Sequence, residues 1–184
     1  MTSLASLWLP ILISAVLLFF LSAASHMALP WRKGEWKRIA GFEAVQGALK
    51  GLPPGLYSFP AAPDPKQQMT PEWTERWAKG PSGWLTLAPP GPIRMGRNMA
   101  LSLLVFFAVA LLEGYVAAQA LAPGAPYPAV FRLVSTVGVM TFGVSSAFTS
   151  IWYHRPWRAY LSDLFDALLF AFAMAGVFGW LWPR

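Results

Sequence analysis

Glu113 is the residue whose position in this chain most needs a chemical reason, because it stands alone as a charge within the apolar run from Met99 to Ala122. A carboxylate at the centre of a bilayer costs at least ~2.5 kcal/mol even on the mildest scale. It lies about nine residues, roughly 13 Å at helical rise, from the end of that run. Arg132, near the start of the next apolar run on an antiparallel neighbour, can reach down toward it. The simplest chemistry is a structural intramembrane ion pair, Glu113 with Arg132. The sharper alternative is a site that handles protons or ions, although no second buried carboxylate offers a relay.

Asp163 and Asp166, three residues apart, fall on one face of a helix just beyond Arg155 and Arg158. Acids suit an exposed first helical turn, and the four charges form a cluster that fastens the last apolar run to what precedes it. Without a histidine in the same run, the carboxylates do not make a divalent metal site. The histidines, His26 and His154, fall toward one side of the chain's layout. Paired haem or chlorin ligation is the chemistry they would offer, but His154 sits beside Arg155 in a connection, which suits a solvated imidazole. Cysteine is absent, which removes disulfides and thiolate ligands. No nucleophile with its base and no phosphate loop stands out. No catalytic residue, cofactor ligand or metal ligand is therefore assigned, and the expected function is not enzymatic.

The elements that must position these residues are helices in lipid. At 56% hydrophobic and 12% charged, the 184-residue chain is too apolar for a water-soluble surface. Four stretches, residues 1–29, 98–122, 129–152 and 159–182, approach or exceed the ~20 residues that cross a bilayer. Because lipid offers no hydrogen-bond partners to the backbone, each is expected to be a helix. The first run lacks a basic n-region and is followed at once by a basic stretch, so it is read as a retained span rather than a cleaved signal. The fold class expected is an all-α membrane protein of four transmembrane helices, with a small α+β cytoplasmic cap, residues 30–97, between the first two.

Charge sets the expected orientation. Ten of the fourteen basic residues lie between the first and second spans, His154, Arg155 and Arg158 lie between the third and fourth, and the connection from Pro123 to Pro128 carries no charge. The positive-inside rule places the first and third connections in the cytoplasm and both termini in the periplasm, in a bacterial inner membrane. Tryptophan agrees as an interface marker: Trp8, Trp180 and Trp182 at the outer surface, and Trp31, Trp152 and Trp157 at the inner one. The net charge of +6 flanks spans rather than tiling a groove, so anionic lipid headgroups are the expected partner and nucleic acid is not.

Within the cap, eleven of the seventeen prolines enforce corners. Phe42, Val45 and Leu49 followed by Gly51 predict one short helix, and Thr70, Pro71 and Glu72 with Gly80 predict another. Leu56 to Phe59 and Trp84 to Ala88 read as two short strands able to pair. A two-stranded ribbon is marginal alone. The cap is therefore expected to lie on the membrane surface, packing Trp31, Trp36, Trp73, Trp77 and Trp84 against lipid or the bundle.

Small residues recur every fourth position, as Ala110, Gly114 and Ala118 in the second span and as Ala167, Ala171, Ala175 and Gly179 in the fourth. Such ridges let membrane helices approach closely. The third span carries Ser135, Thr136, Thr141, Ser145, Ser146 and Thr149, whose hydroxyls bond their own helix or a neighbour, or, on the sharper reading, line a permeation path.

Several strings resemble a family of uncharacterised small multi-pass bacterial membrane proteins: Ser25-His26-Met27 with Leu29-Pro30-Trp31, Pro53-Pro54-Gly55 with Tyr57 and Phe59-Pro60, Gly80-Pro81, and Ser150-Ile151-Trp152-Tyr153. The resemblance spans most of the chain and implies a recurring bacterial architecture, with no functional residues to carry over. The expected function is a non-catalytic membrane interaction protein, an accessory or structural subunit of a larger bacterial respiratory or photosynthetic complex with other membrane subunits as partners. The alternative is a small transporter or channel using the polar face of the third span and Glu113.

Overall fold

A computed structural model describes residues 2–62 and 64–184. Met1 and Pro63, which fall within the first span and the cap as read from sequence, lie outside the described residues. The elements in chain order are α1 (Trp8–Met27), α2 (Phe42–Leu49), β1 (Gly55–Phe59), α3 (Pro71–Lys79), β2 (Gly83–Leu87), α4 (Met95–Ala120), α5 (Tyr127–Val139), α6 (Ala147–Trp152) and α7 (Trp157–Trp180). Four helical stretches are long and apolar enough to cross a membrane: Leu4–Met27, Met95–Ala120, Tyr127–Trp152 and Trp157–Trp180. This is the all-α, four-span architecture with a two-stranded insert that hydropathy predicts.

The chain divides into two compact units, Met1–Trp36 with Arg94–Arg184, and Lys37–Ile93. Residues 30–36, which composition assigns to the cap, thus belong to the bundle.

In the bundle, α7 is the hub: 44% of its most apolar stretch is buried, against 22% for α4. Its small residues face glycines and an aromatic ring. A Cβ on Gly138 would meet the Ala171 Cβ at 2.8 Å and its Cα at 3.0 Å, one on Gly143 would meet the Ala167 Cβ at 3.1 Å, and Gly179 lies under the Tyr127 ring. On α4, Ala110 and Ala118 are buried, and Gly114 gives room to Ile11 of α1 and Phe178 of α7. Phe106, Phe142 and Phe170 form a triangle, with centroids 5.5 to 6.4 Å apart, that ties α4, the third span and α7 together.

The third span is not one straight helix, as its hydropathy predicts. A π-helical turn, Met140–Val144, separates α5 from α6. The spacing of its contacts explains why. Gly138 and Gly143 are five residues apart, whereas Ala171 and Ala167, which they meet, are four apart. Five residues of ideal α-helix rotate by about 500°, which would swing Gly143 roughly 140° off the α7 face. A wider i→i+5 turn absorbs the extra residue and keeps both glycines in contact.

The end of the bundle that holds both termini is laced by polar contacts. The Thr2 hydroxyl donates to the Leu121 carbonyl at 2.8 Å, the Trp182 indole to that of Ala122 at 3.0 Å, and the Gly124 amide to that of Pro183 at 2.8 Å.

The unit Lys37–Ile93 contains both predicted short helices and both predicted strands. β1 and β2 pair antiparallel, with Tyr57 opposite Leu85 and Phe59 opposite Gly83. The Thr70 hydroxyl caps α3 by accepting from the Trp73 amide at 3.3 Å. Trp73 stacks on Trp77 at 5.2 Å between centroids, and Trp77 meets Trp84 of β2 at 5.1 Å. These three indoles therefore pack on one another, where the sequence reading turns them toward lipid or the bundle. No described residue of this unit is buried.

The close approach at Gly138 yields a paired expectation. Gly138→Ala forces a Cβ against the α7 backbone and should cost about 1–3 kcal/mol. Gly96→Ala on α4, where a Cβ meets nothing within 4 Å, should be neutral or slightly stabilising, by at most ~1 kcal/mol. Denaturant unfolding of both variants in detergent, followed by circular dichroism, checks this. Equal stabilities would show that the glycine contact is not tight.

Candidate functional site

Two polar constellations interrupt the apolar bundle. The first begins where α1 stops. Its C-cap residue is Ala28, and Pro30 opens a single 3-10 turn, Pro30–Arg32, that brings Trp31 and Arg32 to the start of α7. There the Asp166 carboxylate, 4% exposed, accepts from the Trp31 indole N–H at 3.0 Å and from Arg32 Nε at 2.8 Å. It also accepts in close contact from Arg32 Nη2 and from the Ser25 hydroxyl.

Asp163, one turn earlier, accepts from Arg32 Nη2 at 3.2 Å and is gripped by both terminal nitrogens of Arg155. Glu35 takes Arg32 Nη1 at 3.3 Å. The Ser162 hydroxyl donates to the Trp31 carbonyl at 3.0 Å, and Arg158 donates to that of Lys33 at 3.1 Å. Burial works against the Arg32 charge, but the hydrogen bonds to Asp166 and Asp163 and the field of Glu35 outweigh it and hold its pKa above the ordinary value. Arg155 is raised as well, first by its hydrogen bond to Asp163 and against the opposing effect of burial. Both guanidiniums are fixed cations, which suits a clamp and not a proton relay.

The aspartate spacing is what a reading of charge clusters finds. What that reading misses is Ser25 and Trp31, because a serine and a tryptophan carry no signal that their polar atoms aim at one carboxylate. Trp31 is half-buried, and its indole N–H is spent on Asp166. Trp182, expected at the outer interface, is instead buried: it is 7% exposed and donates to the end of α4. Trp8, Trp152, Trp157 and Trp180 are exposed.

The second constellation is Glu113. Its side chain is 3% exposed, and neither carboxyl oxygen has a hydrogen-bond partner. The pairing with Arg132 expected from sequence does not form. Glu113 Oε1 lies 3.6 Å from where a Gly138 Cβ would stand, and Gly138 is six residues beyond Arg132. That separation is about 9 Å of rise, on a face rotated by roughly 240°. Arg132 points from another side of α5, short of the carboxyl.

Four of the third-span hydroxyls make short bonds to their own helix. Thr136 donates to the Arg132 carbonyl at 2.7 Å, Thr141 to that of Val137 at 2.9 Å, Ser146 to that of Gly143 at 2.9 Å and Thr149 to that of Ser146 at 2.6 Å. His26 Nδ1 lies 2.9 Å from the Ser22 carbonyl one turn back, and His154 adopts a left-handed backbone, φ 53°. Among the described residues no group of three or more His, Asp or Glu is placed to hold a metal ion.

Removing one partner of a buried charge pair leaves the other uncompensated, so Asp166→Ala should destabilise the bundle by about 3–5 kcal/mol. Replacing both Arg32 and Asp166 by apolar residues should cost less than the sum of the single changes. Unfolding midpoints for the four members of this double-mutant cycle test it, and strictly additive losses would show that the two side chains do not act as a unit.

No protein-family model, curated protein or solved structure matches this chain, so its own geometry carries the functional reading.

Proposed function

We propose that this chain is a non-catalytic accessory subunit of a larger membrane complex, with the first and third connections facing the cytoplasm of a bacterial cell and both termini in the periplasm. One observation carries the reading. The unit Lys37–Ile93 forms two helices, a 3-10 turn and a paired ribbon, yet none of its described residues is buried, and Ile39, Leu56, Met69 and Ile93 are left exposed. A segment with regular structure and no core gains its stability from a surface it is pressed against. Six basic residues of this unit, Lys37, Arg38, Lys50, Lys66, Arg76 and Lys79, against four acids, Glu43, Asp64, Glu72 and Glu75, favour a partner that is apolar with an acidic rim.

A lesser support comes from α4. From Met95 to Ala108 only Phe106 turns inward, so half of this helix offers Leu103, Leu104, Val105 and Phe107 to whatever lies alongside. The transporter reading draws less support, since four of the third-span hydroxyls donate to carbonyls of their own helix and do not form a continuous polar wall.

A photo-crosslinking residue at Leu56, activated in native membranes, should form an adduct with one polypeptide that also co-purifies in fixed proportion with the wild-type chain. Leu56→Asp should release that polypeptide while leaving the four-span unit folded. Adducts to lipid alone would overturn the subunit assignment. Because the chain has no cysteine, single cysteines at Ser82 and Gly124 give a clean test of orientation: a membrane-impermeant maleimide applied from the periplasm should label only Gly124→Cys.

A further inference from the structure

We propose that Glu113 is a proton-binding site enclosed by the second, third and fourth spans, occupied by a proton while the bundle is closed and emptied when the third span opens at its π-helical turn. The carboxyl is shut in: Oε1 faces Gly138, and Gly138 is itself pressed onto the α7 backbone at Ala171. Neither oxygen meets a donor.

Among the described residues, no charge on the surrounding elements compensates it. On α5 the only charge is Arg132, a different face and about 9 Å away along the axis. The charges of α7, Arg158, Asp163 and Asp166, lie in its first three turns, where Asp163 and Asp166 are engaged by Arg32 and Arg155. The titratable group of α1 is His26, near its last residue, and the π-helical segment carries none. Arg97, 16 residues or roughly 24 Å back along α4, and Tyr115, Tyr127 and Tyr160 are the remaining titratable groups of these helices, and none donates to the carboxyl. An ion without solvent or counter-charge is not tolerated in such a place, whereas the neutral acid is. A metal cation would require several ligands around it, and among the described residues Glu113 belongs to no group of three or more His, Asp or Glu placed to hold one.

The route for exchange is local. The π-helical turn begins two residues after Gly138, and such turns mark places where a helix can change its winding. Rewinding there makes the Gly138–Ala171 and Gly143–Ala167 contacts incompatible, and where the Gly138 contact is the one that yields, water gains access to Glu113. The buried, unpartnered Ser14 hydroxyl of α1 is another polar group in the bundle interior; its helix touches α4 through Ile11 against Gly114.

Dicyclohexylcarbodiimide provides the test on the full wild-type chain in liposomes. A protonated carboxyl in apolar surroundings gives its proton to a carbodiimide nitrogen while its oxygen bonds to the central carbon; the resulting O-acylisourea rearranges to a stable N-acylurea. Mass spectrometry should find that adduct on Glu113, with yield falling as pH rises. The infrared spectrum should contain a protonated-carboxylic-acid band that is missing from Glu113→Gln, a variant of similar shape expected to retain the wild-type unfolding midpoint. Gly138→Ala, which parts α5 from α7, should lose labelling at a lower pH than wild type. An unlabelled Glu113 at every pH together with an unchanged infrared spectrum in Glu113→Gln would overturn the assignment. Protection by sodium ions at constant pH would overturn it too, by making the ligand a metal cation.

Discussion

The backbone contact of Gly138 with Ala171 is the constraint on which the bundle's arrangement depends. In lipid, apolar side chains gain nothing by leaving solvent, so helices are held by dispersion between closely approaching backbones and by the few hydrogen bonds they share. Here two glycines of the third span and two alanines of the fourth achieve that approach, and they do so only because the helix winds more widely between them. The consequences spread outward. The fourth span becomes the most enclosed, the Phe106, Phe142 and Phe170 rings close over the seam, and Glu113 is sealed beside Gly138.

Small-residue packing has one weakness, which is that it repeats. Ala167, Ala171, Ala175 and Gly179 are spaced by four, so a slip of one turn would set alanine against glycine again. Register has to come from elsewhere. At one end, Asp166 collects donors from Ser25, Trp31 and Arg32, while Asp163 one turn earlier takes Arg155 as well as Arg32, so each carboxylate has its own donor set. At the other, Thr2, Trp182 and the Gly124 amide close on specific carbonyls. A buried ion pair is weak evidence for net stability, because desolvation offsets attraction. Its contribution here is directional: it selects one alignment among several of similar packing energy.

Hydropathy and turn chemistry made the elements legible. Runs of apolar residues mark all four spans, and Thr70, Pro71, Glu72 and Gly80 mark α3 nearly to the residue. Legibility ended where a property depends on rotation about a helix axis. Arg132 lies within a long side chain's reach of Glu113 in sequence projection, but six residues of α-helix, about 9 Å of rise and a different face, separate it from the carboxyl's actual neighbour. The π-helical turn left no trace in composition, since it answers to a mismatch between five-residue and four-residue spacing on two different helices. Trp31 and Trp182 followed the enrichment of tryptophan at membrane interfaces, yet each had an indole N–H that a nearby acceptor could claim.

The insert Lys37–Ile93 shows how far local consistency can go without a core. Its caps, proline corners and strand pattern all agree with its elements, and Trp73, Trp77 and Trp84 give it a spine of touching rings. Still, a single ribbon with one short helix against it cannot enclose a side chain, because burial requires walls on at least two sides. Local propensity fixes the shape of such a segment and leaves its apolar surface open, with Leu56 and Met69 almost wholly exposed. A protein that had no use for that surface would be expected to carry polar residues there, since solubility alone favours them. On the proposed function, the exposed apolar side chains are one half of a contact.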